Sequence, residues 1–264
     1  MVEVAWLVVP CGPECLVRIQ VTFNKAFRFF RTCAETELAK ERNVMIKAVI
    51  FDMDGVIVDS EPIHIEAEKQ TLLKYGVKIT TEELRTYTGT TAEFEFNSLI
   101  RKYKLNTTAK TLFDEKEVIM FKLLEERTEP TRGVIDLIKN LKQQGFKLGI
   151  ATSGHRKLAR YYLNRLGVES FFDTVVCAED ITRSKPDPEI FLKAAERLGV
   201  EPAQCVVVED AKLGVEAATR AGMKCIGYRN PNSGNQDLSK ADWVVSDFTK
   251  LDLQVLLRAG CQDS

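Results

Sequence analysis

The run Lys47, Ala48, Val49, Ile50 and Phe51 is apolar and partly β-branched, and it stops abruptly at Asp52, Met53, Asp54 and Gly55. Such a run predicts a strand buried on both faces, as in a parallel sheet covered by helices. The texture then changes. Residues 62–75, 80–87, 92–103 and 108–127 carry helical periodicity with charged faces, separated by turn chemistry at Tyr75-Gly76 and Leu105-Asn106-Thr107-Thr108. No strand-like run falls between 61 and 129, so this stretch reads as an all-helical insert. From Pro130 helix and strand alternate again. Helices are predicted over 133–144, 157–166 (closed by Gly167), 187–198 (capped by Gly199) and 214–221. Strands are predicted over 146–151, 173–177, 205–208, 223–227 and 243–245. The expectation is an α/β fold: a doubly wound parallel sheet, Rossmann-like, formed by 45–60 and 130–257 and interrupted by the helical domain at 61–129.

Residues 1–44 do not share this pattern. They hold Trp6, Pro10 and Pro13 and three cysteines, Cys11, Cys15 and Cys33. Arg18, Lys25, Arg28 and Arg31 among Phe23, Phe27, Phe29 and Phe30 resemble a transit peptide, but Glu35, Glu37 and Glu41 oppose that reading. Met45 stands immediately before the first good strand. The expectation is an upstream-extended start, with 1–44 an unstructured or spurious extension.

Composition narrows the class without choosing within it. A chain of 264 residues with 45% hydrophobic and 28% charged side chains is ordinary for a soluble globular protein. Net charge of −1 supplies no basic field, so neither nucleic acid nor an anionic membrane is an expected partner. No apolar run reaches the roughly 18 residues of a membrane span. Seven cysteines without a CxxC pair fit reduced thiols in a cytoplasmic protein, with Cys177, Cys205 and Cys225 as small core residues. A monomer or a weak homodimer is expected.

The candidate chemistry sits at strand ends, where open α/β sheets place their ligands. Asp52 and Asp54 end the first strand and repel one another unless a cation lies between them, which points to a hard divalent metal. Thr152 and Ser153 end the second. Lys185 lies in the loop Ser184-Lys185-Pro186-Asp187-Pro188, and Glu209 with Asp210 end a further strand. Each has a plainer reading: Thr152-Ser153 and Glu209-Asp210 as helix N-caps, Lys185 as a solvated loop lysine. Their joint occurrence in this order is too specific for those readings.

The motifs FDMDGVIVDS, GIATS, SKPDP and VVVEDA resemble the four signatures of the haloacid dehalogenase superfamily, over about residues 46–250. The wording Asp59-Ser60-Glu61-Pro62-Ile63-His64 is similar to its β-phosphoglucomutase-like branch, and the insert to that branch's helical cap. The resemblance implies a phosphatase acting on a small phosphorylated metabolite, a sugar phosphate, through an aspartyl phosphate. It makes Asp52 the nucleophile and Asp54 the general acid and base. It implies Mg2+ held by Asp52, the Asp54 carbonyl and Asp210, with Glu209 direct or through water. It assigns phosphoryl binding to Thr152 with Ser153 and Gly154, and charge neutralisation to Lys185. In the cap, His64, Gly89, Thr90 and Thr91 are the implied substrate contacts. Asp54 sets the chain apart from the dehalogenases, which need no proton for a halide, and Met53 from the ion pumps, which have lysine there. The mutases carry an arginine three residues after the cap glycine; here that position is Ala92, so hydrolysis is expected over phosphoryl transfer within a sugar.

Overall fold

The computed structural model describes residues 4–10, 16–22, 45–87 and 91–251, with side chains in the last two ranges. First in the chain come two strands, β1 (Val4–Pro10) and β2 (Leu16–Thr22), paired antiparallel with Val4 opposite Thr22 and Pro10 opposite Leu16. The segment 1–44, expected to lack structure, therefore contains a strand pair at these two runs. Both are rich in aliphatic and β-branched residues, which favour extended backbone. The remainder of 1–44 and residues 252–257 lie outside the described residues.

Six strands form the main sheet: β3 (Ala48–Phe51), β4 (Lys147–Ala151), β5 (Thr174–Val176), β6 (Cys205–Glu209), β7 (Lys224–Tyr228) and β8 (Trp243–Val245). All pairs are parallel, in the order β5-β4-β3-β6-β7-β8. The doubly wound sheet predicted from the alternation is present. The order reverses at β3, and Phe51 lies opposite both Ile150 and Val208. The register thus brings Asp52, Thr152 and Glu209 to one edge at the switch point, the crevice that such folds use for ligands.

Between β3 and β4 run α1 (Glu61–Leu73), α2 (Thr81–Arg85), α3 (Ala92–Tyr103) and α4 (Ala109–Arg127), then α5 (Val134–Gln143). The first four make the helical cap. Thr80, Thr91 and Thr108 start α2, α3 and α4, each hydroxyl accepting from the backbone N–H three residues on. Ile65, Leu72, Leu84, Phe96, Leu99 and Leu112 form the cap's own apolar cluster. The two tethers pair with each other: Thr131 N–H donates to the Ile57 carbonyl at 3.0 Å, and Val58 lies opposite Pro130.

The core helices are α6 (Arg156–Leu166), α7 (Glu189–Leu198) and α8 (Lys212–Arg220). All four residues of β3 are buried, as the unbroken apolar run requires. Ala48 and Ile50 pack in one cluster with Phe191 and Ala194 of α7 and Val215 and Ala218 of α8, while Val49 and Phe51 alternate to the other face. Each large side chain so buried contributes about 1.5–3 kcal/mol. That rigidity is what allows charged groups to be held at the strand ends.

Candidate active site

Lys185 reaches the sheet edge from the loop before α7, and its Nζ lies 2.6 Å from Asp52 Oδ1 and 2.6 Å from Glu209 Oε1. It also donates to the Ala151 carbonyl at 3.2 Å. A solvated loop lysine is excluded: the side chain is 9% exposed. Burial works against its charge, but the fields and hydrogen bonds of the two carboxylates outweigh burial and push its pKa up. Asp52 is pulled both ways. Burial raises it, Lys185 lowers it, Glu209 and Asp54 raise it again, and the result is about 7. Asp210 is raised well above the carboxylate range by burial, then by Glu209 and Asp52.

Carboxylate oxygens of Asp52, Glu209 and Asp210 lie within 4.8 Å of one another, all buried. One lysine among three buried carboxyl groups leaves negative charge uncompensated, and the donors are hard oxygens. Both features fit a divalent cation such as magnesium. Glu209 is already engaged at both oxygens, Oε1 by Lys185 and Oε2 by the Ala211 N–H at 2.9 Å. Ser233 donates its hydroxyl to Asp210 Oδ2. Two glycines make this crowding feasible. A Cβ on Gly214 would overlap the Glu209 carboxylate, and one on Gly55 (φ 79°) would overlap that of Asp210.

Asp54 faces a different environment. Ser60 Oγ donates to its Oδ1 at 2.7 Å, and His64 Nε2 stands 3.7 Å from the same oxygen. Burial disfavours its charge, but the nearby His64 and the hydrogen bond from Ser60 hold it below the usual carboxylate range. Ser60 occupies the N-cap position of α1 without capping it, its hydroxyl being turned to Asp54 instead. The first turn of the cap is thereby fastened to the carboxylate at the core's edge.

Thr152 Oγ1 accepts from the Gly154 N–H at 2.9 Å, and a Cβ on Gly154 would stand 3.6 Å from Asp54 Oδ2. Thr152, Ser153 and Gly154 therefore line the same edge. The Arg156 N–H, at the start of α6, is taken by the Glu179 carboxylate at 3.0 Å. In the cap, the Thr91 hydroxyl caps α3 by accepting from the Phe94 N–H at 3.2 Å. Gly89 and Thr90 lie outside the described residues.

Several neighbours went unnoticed in the sequence. Asn230 Nδ2 donates to the Gly55 carbonyl at 2.9 Å and to Asp59 Oδ1 at 3.3 Å, while Asn232 Nδ2 holds Asp59 Oδ2 at 2.6 Å. Tyr162 of α6 is fully buried; burial and then the charge of Asp54 push its phenol up. Ser60 stood inside the first motif and was readable there. Asn230, Asn232 and Ser233 follow β7 in an ordinary polar loop, and no local pattern marks them.

A family model described as haloacid dehalogenase-like hydrolase matches residues 49–228. A phosphorylated carbohydrates phosphatase of Thermotoga maritima is 39% identical over 69% of this chain and 84% of its own length. A fructose-1-phosphate phosphatase of Escherichia coli is 33% identical over 69% and 95%. Among solved structures, a β-phosphoglucomutase from Clostridium difficile superposes with a TM-score of 0.70 at 29% identity, covering 82% of this chain and 97% of that one. Matches of this extent reach through the cap as well as the core. The chain belongs to the haloacid dehalogenase-like hydrolases, in their β-phosphoglucomutase-like branch, and is a phosphoric monoester hydrolase.

Proposed function

We propose that the chain is a magnesium-dependent phosphatase of a small phosphorylated metabolite, a sugar phosphate, working through an aspartyl phosphate on Asp52. The observation that carries this reading is the division of labour between two carboxylates two residues apart. Asp52 is clamped to Lys185 at 2.6 Å, while Asp54 is held separately by Ser60 and His64. The names of the two phosphatases above support the substrate class.

In the first step a carboxylate oxygen of Asp52 attacks phosphorus, the ester P–O bond breaks, and the leaving oxygen takes a proton from Asp54. An arriving phosphate dianion raises Asp54 by like-charge repulsion and so favours loading that proton. In the second step water attacks the phosphorus of the aspartyl phosphate while Asp54, again ionised, accepts its proton and Asp52 is released. Lys185 stabilises charge on the nucleophile and on the phosphoryl oxygens in flight. The Thr152 O–H, its oxygen already accepting from Gly154, is left to donate to the phosphoryl group together with the Ser153 N–H. Asp52, Asp210 and the Asp54 carbonyl would hold magnesium, with Glu209 binding it directly or through water. Bound magnesium supplies positive charge opposite the phosphoryl oxygens. Three buried free thiols, Cys177, Cys205 and Cys225, support a reducing, cytoplasmic setting. No helix among the described residues is long and apolar enough to cross a membrane.

The test measures phosphate release across sugar phosphates, nucleotides and phosphoglycolate, with β-glucose 1-phosphate plus a trace of glucose 1,6-bisphosphate as a further arm. Release from sugar monophosphates is expected. Glucose 6-phosphate accumulating faster than free phosphate would make this chain a mutase instead.

A further inference from the structure

Tyr162 stands on α6, the helix that follows the Thr152–Gly154 turn, and its side chain is fully buried. Its hydroxyl makes no hydrogen bond among the described residues. After burial, the strongest influences on the phenol are the charge of Asp54, which raises it, and the Ser60 hydroxyl, which lowers it; both therefore stand beside it. Ser60 has the converse deficiency. Its hydroxyl donates to Asp54 Oδ1 at 2.7 Å but accepts nothing from the first turn of α1, so its oxygen keeps open lone pairs. Ser60 is buried as well. An enclosed donor without an acceptor and an enclosed oxygen without a donor thus lie together, next to the carboxylate assigned to proton transfer.

Packing alone would favour phenylalanine at this position, which fills the same space without burying an unpaired hydroxyl. The two oxygens of Asp54 suggest what the hydroxyl serves. Oδ1 is held by Ser60 and faces His64 at 3.7 Å, whereas Oδ2 lies toward the phosphoryl-binding turn, 3.6 Å from where a Cβ on Gly154 would stand. Oδ2 is thus the oxygen placed to carry a proton to the leaving group, and its direction depends on how firmly Oδ1 is held. Ser60 immediately precedes α1, on a tether between core and cap, so cap motion reaches Asp54 through it.

We propose that Tyr162 is a positioning residue for Asp54: as the cap closes on substrate, the Tyr162 hydroxyl donates to Ser60 Oγ and locks the Ser60 donor onto Asp54 Oδ1. The inference rests on the phosphatase reading and adds a residue to it. A serine hydroxyl gives one hydrogen bond and can accept two, so the new bond displaces none of the existing ones. A hydroxyl that receives a hydrogen bond gives a stronger one, and the chain from Tyr162 through Ser60 to Asp54 is firmer than its last link alone. No proton leaves Tyr162, because its burial beside Asp54 disfavours the phenolate.

The test compares kcat/KM for two esters on the full chain with magnesium: the sugar monophosphate hydrolysed fastest in the panel above, and p-nitrophenyl phosphate, whose leaving group departs without a proton. For both, kcat/KM reports formation of the aspartyl phosphate, the step in which Asp54 acts as acid. Tyr162→Phe should lower the sugar-to-aryl ratio about tenfold, part of what a general acid supplies, without lowering the melting temperature. Ser60→Ala should lower the ratio at least as far, and adding Tyr162→Phe to it should lower it no further, since Tyr162 acts through Ser60. A hydroxyl that only fills space would move both esters together or neither. An unchanged ratio in Tyr162→Phe overturns the proposal, as does a further drop of the same size in the Ser60→Ala background. If Ser60→Ala fails to fold, Tyr162→Phe decides alone. Absence of phosphate release from every ester would overturn the phosphatase reading instead. Melting temperatures of wild type, both single variants and the double variant, with magnesium and inorganic phosphate, then decide the contact: coupled shifts support it and additive shifts overturn it.

Discussion

Asp52 shows how far a buried carboxyl can be pulled from both sides. Its charge is opposed by burial and by Glu209, favoured by Lys185, and left near balance at about 7. Asparagine keeps the shape but cannot attack phosphorus, so Asp52→Asn should retain less than about a thousandth of wild-type turnover. Without metal at pH 8 it should melt no lower than wild type, because the costly charge is gone; a clear drop by calorimetry would contradict this. Glu95 titrates apart from the acidic triad, beside Glu68 and Lys116 in the cap. Its folded value of about 8 lies above its ordinary 4.5, so the folded chain keeps a proton that the unfolded chain releases. The stability this confers is full below about 4.5 and is lost as pH rises through about 8. Melting curves of wild type and Glu95→Gln should therefore diverge with rising pH, wild type falling further. Parallel curves would place Glu95 in water.

At the scale of elements, the informative case is α8. Gly214 is its third residue, where alanine would ordinarily stabilise a helix by about 1 kcal/mol. Here a Cβ would overlap the Glu209 carboxylate, which is fixed between Lys185 and the Ala211 N–H. Gly214→Ala should therefore lower both the melting temperature and turnover, the latter by at least about tenfold, since displacing Glu209 also displaces Lys185. A variant that melts higher with unchanged rate would remove Glu209 from the proposed site. The same logic explains α1. Its N-cap residue gives up capping to reach Asp54, so the helix begins where the chemistry needs it.

Over the whole molecule, the candidate site lies at a sheet edge beside a cap joined through two tethers. Cap and core touch again along α4 and α6, where Phe113 meets His155 at 5.7 Å and Phe121 meets Tyr161 at 5.9 Å between ring centres. A cap so joined can open for substrate and close to restrict water. The three buried carboxylates at the edge predict an absolute metal requirement. Turnover should vanish in excess chelator, return with magnesium, and fail with calcium, which takes a larger shell at about 2.3–2.6 Å. Full activity in chelator would remove the metal from the proposal.

Local pattern was enough to read the order of helices and strands, the helical insert, and the three strand ends and one lysine loop that carry the candidate chemistry. Periodicity and capping act over a few residues, and β3, α7 and Gly199 obey them almost to the residue. Sequence alone did not settle where Lys185 goes. It stands 133 residues from Asp52, and only the strand order seats its ammonium between Asp52 and Glu209. Nor does any local signal mark Asn230, Ser233 or Gly214, whose importance comes from what lies across the fold. The strand pair at 4–10 and 16–22 was written in aliphatic runs but masked by the prolines and cysteines around them. Glu68, Glu95 and Lys116 read as ordinary charges on helical faces. That they meet inside the cap is a property of how three helices pack, because a side chain's environment is fixed by its neighbours in space and not by those along the chain.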